Sequence, residues 1–141
     1  MPTNKYLVPV DFSKTSIKAL RYAAELAKKS RNASIVVLHV ITESAVHVPF
    51  YLRDKFYDEL EQLARKRIAV LLKRNPPAMS ASIVVLQAAD PVEAIARQAK
   101  KSRASMIVMG SHGRTGLRRL VIGSVAEKIL SSVSCPVLII K

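Results

Sequence analysis

Apolar residues along this 141-residue chain fall alternately into two spacings, short β-branched runs and stripes at helical period. Tyr6-Leu7-Val8-Pro9-Val10 is a short apolar strand whose proline leaves the ladder near the strand's end. Ser13 is placed to cap a helix in which Ile17, Leu20, Ala23, Ala24 and Ala27 share a face and Lys28 and Lys29 close the last turn. Ser34 to Ile41 is a nearly continuous apolar run, as in a strand covered on both faces. Residues 42–51 read as a loop. A second helix then carries Phe56, Leu60, Leu63, Ala64, Ile68 and Leu71 on one face and stops at Pro76-Pro77. Ser82 to Leu86 is a third strand. Asp90, Pro91 and Glu93 combine N-cap, first-turn proline and capping-box signals for a helix that buries Val92, Ile95, Ala96 and Ala99. Met106 to Met109 is a fourth strand ending at Gly110. A capping box of Ser124 and Glu127 opens a short last helix, and Pro136 to Ile140 is a final strand.

Five strands separated by four helices predict an α/β fold, a single open parallel sheet with helices on both faces. No repeat, linker or low-complexity segment divides it, so residues 1–141 read as one domain. Ligands of such sheets bind beyond the carboxyl ends of the strands, where strand order reverses. Both common strand orders put the first strand beside that point, which singles out Pro9, Val10 and Asp11. Met109 and Gly110 join them if strand four lies next to strand one.

Composition changes this picture in two respects. Half of the residues are hydrophobic, so the chain can bury a core without a metal or disulfide, and a single cysteine, Cys135, rules out an internal disulfide. No signal-peptide pattern and no apolar run of membrane-spanning length is visible, and the expectation is a cytoplasmic protein with no membrane partner. The formal net charge is +13, which attracts polyanions. Several cationic clusters (Lys28-Lys29, Lys73-Arg74, Lys100-Lys101) fall at expected helix C-termini, where the helix dipole favours them. A nucleic-acid-binding surface therefore remains an alternative that the charge alone motivates. The few aromatic residues are not interleaved with basic ones as stacking platforms are.

All four glycines of the chain, Gly110, Gly113, Gly116 and Gly123, lie within residues 110–123. Glycine admits positive φ and close ligand approach, successive N–H groups can form an anion nest, and Gly123-Ser124 leads into a helix N-terminus. That is phosphate-binding chemistry. The alternative is a long surface loop that uses glycine for turns and keeps its arginines in solvent. The spacing fits neither the Walker loop nor the dinucleotide fingerprint.

Gly110-x2-Gly113-x9-Gly123-Ser124 resembles the ATP-binding signature of the universal stress protein family. Leu7 to Ser13, Leu38-His39-Val40, Ile107 to Gly113 and Cys135 to Ile140 resemble that family's strands in the same order, so the likeness runs over essentially the whole chain. It implies a Rossmann-like, adenine nucleotide alpha hydrolase-like sheet in the order 3-2-1-4-5. It implies ATP, with Mg or Mn, bound with adenine and ribose near Pro9, Val10, Asp11 and Val40 and with Met109 and Gly110 lining the pocket. The phosphates would lie on Gly113, Gly123, Ser124 and Val125, with His112 and Arg114 in or beside the same loop. It also implies a homodimer through the last strand, Val137, Leu138, Ile139 and Ile140. Two positions depart from the family: Ala88-Ala89 where glycine is common, and Ser105 where an acid is common.

Asp11 can accept from ribose hydroxyls or cap a turn beside Ser13. His112 reads equally as a phosphate contact or an exposed histidine, His39 as a core or pocket-wall residue, and Cys135 as structural. His47 has no partner at metal-ligand spacing. Arg118 and Arg119 could attract phosphate or simply lie in solvent. The leading function is an ATP-binding regulatory or stress-response module. Any hydrolysis is expected to be slow, for want of a dedicated base and an arginine finger. The alternatives are a nucleotide-using enzyme, an ATPase or a transferase in which Asp11 assists, and a basic polyanion or nucleic-acid binder.

Overall fold

In the computed structural model, which describes residues 3–43, 47–77, 80–112 and 121–141, β1 (Asn4–Pro9) is followed by α1 (Lys14–Lys29) and β2 (Ala33–Thr42). A single 3-10 turn, Phe50–Leu52, leads into α2 (Arg53–Arg74). The chain then runs through β3 (Ser80–Ala88), α3 (Pro91–Ser102), β4 (Met106–Gly110), α4 (Ser124–Ser132) and β5 (Val137–Ile140). All strand pairs are parallel, in the order β3-β2-β1-β4-β5. The chain reverses direction across the sheet at β1 and β4, so their ends form the switch point expected from the sequence. No helix among the described residues is long and apolar enough to cross a membrane.

Strand alternation sorts the core into two layers. Tyr6, Val8, Ile35, Val37 and Val108 face α1 and α2, where they meet Ala19, Leu20, Ala23, Ala24, Ala27 and Ile68. Leu7, Val36, Leu38, Ile107 and Met109 face α3 and α4, against Ile95, Ala99, Ala126 and Ile129. The alanine stripe of α1 lets that helix lie close on β1 and β4, and its ends are closed as expected. Ser13 Oγ accepts from the Ser16 N–H, and Lys28 and Lys29 occupy the last turn. Lys73-Arg74 and Lys100-Lys101 likewise end α2 and α3, so six of the 23 basic residues sit at helix C-termini.

Several local readings are corrected. Leu63 is 54% exposed, because the buried stripe of α2 runs through Ala64 and Ile68 and leaves Leu63 at its margin. In α3 the buried residues are Ala94, Ile95, Gln98 and Ala99, with Val92 and Ala96 only half-buried. β3 is longer than the apolar run suggested, because backbone pairing with β2 continues from Ser80 to Ala88 regardless of side-chain polarity. The capping box at Ser124 does not form. Gly123 is the N-cap of α4, without a side-chain bond, and its carbonyl accepts from the Glu127 N–H at 3.0 Å. Ser105, the departure before β4, has a use of its own: its hydroxyl takes the Lys5 N–H at 2.9 Å and donates to the Lys5 carbonyl at 3.0 Å, stitching β4 to β1.

The approach of β4 to α1 is the tightest point of the sheet. A Cβ on Gly110 would lie 2.5 Å from Thr15 Oγ1, 2.7 Å from the Thr15 carbonyl carbon and 2.8 Å from the Ser16 nitrogen. Two of these are backbone atoms of the first turn of α1 and cannot step aside alone. Gly110→Ala is therefore expected to destabilise the protein by about 2–3 kcal/mol. This would be read as a lowered urea midpoint with an unchanged slope.

Candidate functional site

β1 ends at Pro9, and the chain turns through Val10, Asp11 and Phe12 before Ser13 starts α1. One oxygen of Asp11 accepts the Ser13 N–H at 2.9 Å, an Asx turn, so the structural alternative considered for Asp11 is real. A carboxylate has further lone pairs to offer, and the residue is only half-buried. Phe12 takes a φ of 66°, a left-handed conformation that costs a bulky side chain about 1–2 kcal/mol.

The end of β4 is tied down from several sides. The His112 carbonyl accepts from Thr15 Oγ1 at 2.7 Å and from Ser13 Oγ at 3.4 Å. The Ser111 N–H donates to the Ile140 carbonyl at 2.8 Å, and the Ser111 carbonyl takes the Gly123 N–H at 2.6 Å. One residue thus joins the edge strand β5 to the start of α4. Ser111 Oγ lies 2.7 Å from His112 Nδ1, whereas His112 Nε2 is buried without a hydrogen-bond partner among the described residues. In the tautomer in which the hydroxyl donates to Nδ1, Nε2 carries the ring proton and presents a donor, which suits an anion.

Helix geometry leaves the Ser124, Val125 and Ala126 N–H groups without acceptors inside α4, and the Gly123 cap offers no side chain. The φ of Gly123, −63°, is one that any residue adopts. Positive φ, one of the two reasons for glycine weighed from the sequence, therefore does not apply at this position.

These groups line one cavity of about 620 Å³, within the range of small-molecule sites. From the sequence-derived set it brings together Pro9, Val10, Asp11 and Val40 on one side and Met109, Gly110, His112, Gly123, Ser124 and Val125 on the other. Gly113 and Arg114 lie outside the described residues, as do Arg118 and Arg119. His39 is pocket wall, 8% exposed, and its Nδ1–H donates to the Val10 carbonyl at 2.7 Å. Cys135 lies away from this cavity, a free thiol packed against the α3–α4 core layer. Among the described residues no group of three His, Cys, Asp or Glu is placed to hold a metal, and Asp11 is the one acid in the described lining. The sequence reading missed Ser111, Phe12 and Arg67 as lining residues. The polar run Ser111-His112 after a strand was the available signal for the first. Nothing local signals the other two, because they meet only through the packing of α2.

The model of the Universal stress protein family matches residues 2–141. Universal stress protein YxiE of Bacillus subtilis is 33% identical over 147 aligned residues, which cover 98% of this chain and 99% of that one. The solved structure of MJ0577 from Methanocaldococcus jannaschii matches with a TM-score of 0.86 at 27% identity, covering 100% of this chain and 97% of the other. The universal stress protein of Archaeoglobus fulgidus, solved in complex with dAMP, shares the fold at 22% identity and a TM-score of 0.68, covering 99% of this chain and 98% of that one.

The hydroxyl of Thr15 holds the loop that carries His112. Thr15→Val keeps its shape but leaves the His112 carbonyl only the longer contact from Ser13 Oγ, and is expected to cost about 1 kcal/mol in chemical denaturation.

Proposed function

The chain belongs to the universal stress protein family, and from that premise we propose that it is an ATP-binding regulatory or stress-response module. The observation that carries this reading is the convergence, on one cavity, of the N–H groups that have no acceptor within α4 and the Nε2 of His112, which has no partner among the described residues. Both offer hydrogen-bond donors, and the helix end adds a partial positive charge, so together they suit a chain of phosphates. The dAMP complex of the Archaeoglobus fulgidus relative supports an adenine nucleotide as the ligand class.

In this reading adenine and ribose lie by Pro9, Val10 and Val40, with Asp11 accepting from the ribose hydroxyls, and Met109 and Gly110 form the floor. Phosphates pass close to Gly123, whose N–H is taken by Ser111, and rest on the amides of Ser124 and Val125 and on His112, with Gly113 and Arg114 completing the loop. A Mg or Mn ion would be held chiefly by the phosphate oxygens, since the described residues offer no ready-made cage. The protein would act by holding the nucleotide. Hydrolysis would be slow, because the cavity's one described acid is engaged in the turn after β1.

Dimerisation through β5 belongs to the same proposal. Ile107 donates to the Pro136 carbonyl and Ser111 to the Ile140 carbonyl. The even-numbered residues of β5 therefore face β4, and Val137 and Ile139 turn their N–H and C=O groups outward from the edge. An apolar edge strand with outward backbone groups is a template for pairing with a second copy.

Isothermal titration with Mg-ATP tests the nucleotide reading. One site per chain is expected. Gly123→Ala should fold normally, its φ being compatible, and bind about tenfold more weakly, a loss of ~1.4 kcal/mol. Gly123→Val should not bind. Absence of binding by the wild type, or equal affinity in Gly123→Val, overturns it. For the dimer, Ile139→Pro removes one outward N–H without touching the β4 ladder. Sedimentation should show a monomer with the circular dichroism of the wild type, and a dimer that survives the change would place the interface elsewhere.

A further inference from the structure

We propose that the part of the cavity on the α2 side of the sheet is a second ligand site, for a small carboxylate with an apolar body. The cavity passes around the carboxyl ends of β1 and β2. Leu38 and Val40 face α3 and α4, whereas His39 and Ile41 face α2, and all four line the cavity. The nucleotide residues occupy the α4 side, Pro9, Val10 and Asp11 at the end of β1, and Val40. They leave unclaimed the lining on the α2 side, a lobe formed by Phe12, His39, Tyr57, Leu60, Ala64 and Arg67. Its floor is the small core cluster of Ile41, Ala64 and Val85, so the lobe is lined mostly by apolar side chains.

Two features mark it as more than a packing gap. The Arg67 guanidinium carbon sits 3.8 Å from the centre of the Phe12 ring, and Arg67 has no acidic partner within ion-pair distance among the described residues. Arg65, two residues earlier, is paired with Glu61. Arg67 is thus a cation fixed by a ring, with its planar set of donors still to be used. Phe12 holds that position at the cost of its left-handed φ, and its other neighbour is the His39 ring, at 4.8 Å between centres. Strain kept at a ligand-sized cavity is a mark of function. The chemistry that matches an apolar pocket beside one unpaired guanidinium is a carboxylate, which it binds in a two-pronged fork, on an alkyl or aryl body. The proposal does not depend on what occupies the α4 side, and the two ligands are expected to bind together.

Decanoate, below its micelle concentration, is the probe. It is titrated calorimetrically into the full chain with and without saturating Mg-ATP. One site is expected in both conditions. Arg67→Gln should weaken it about tenfold, as for the loss of one charge-assisted contact. Arg67→Lys, which keeps the charge but not the fork, should fall between Arg67→Gln and the wild type, and Leu60→Trp, which fills the lobe, should abolish binding. ATP titrations of these variants should match the wild type. No binding of decanoate, binding indifferent to both Arg67→Gln and Leu60→Trp, or expulsion of decanoate by ATP each overturns the proposal. If ATP itself fails to bind, the decanoate titrations still decide this one.

Discussion

The structure depends on how closely the end of β4 is pressed against the start of α1. Gly110 has no room for a side chain, and the two residues after it are fastened in three directions: to α1 through Thr15, to β5 through Ile140 and to α4 through Gly123. That contact fixes where α4 begins. It also fixes where the turn after β1 can run, since Ser13 and Thr15 serve both the helix start and the His112 carbonyl. The cavity is the space left between these two anchored ends. The phosphate binding proposed for it would rest on backbone position more than on side chains: amides, a helix end and one ring nitrogen.

The fold was largely legible in the sequence because each element carries its own period and its own stops. The alanine stripe of α1, the Asp90-Pro91 start of α3 and the β-branched run of β2 are local signals that the packing respects. The errors lie where packing rather than local preference decides. Leu63 fits a helical stripe but falls at its margin, since only part of α2 rests on the sheet. Ser124 is a good N-cap by type, yet the tie between Gly123 and Ser111 starts the helix one residue earlier. β3 extends beyond its apolar centre because the β2 backbone offers partners there.

The site was legible in outline. Strand-end positions and the glycine segment marked the right wall of the cavity, and ten of the sequence-derived residues meet there. What could not be read was how those groups are satisfied. That His112 pairs through one ring nitrogen and leaves the other without a partner among the described residues depends on a rotamer, and that Phe12 stands between His39 and Arg67 depends on a strained φ and on the path of α2. Neither leaves a trace in spacing. Of the 23 basic residues behind the +13 charge, suggestive of polyanions in the sequence, six sit in the last turns of α1, α2 and α3. The cation that stands out is Arg67, which has a ring beneath it and no acid beside it.

The central claim is that the start of α4 and His112 together receive the phosphates of an adenine nucleotide. The direct measurement is an amide and imidazole NMR titration of labelled protein with Mg-ATP. The account predicts that the Ser124, Val125 and Ala126 amides and the His112 Nε2 shift together, with one saturation curve. Saturable ATP binding that leaves these resonances unmoved would contradict it.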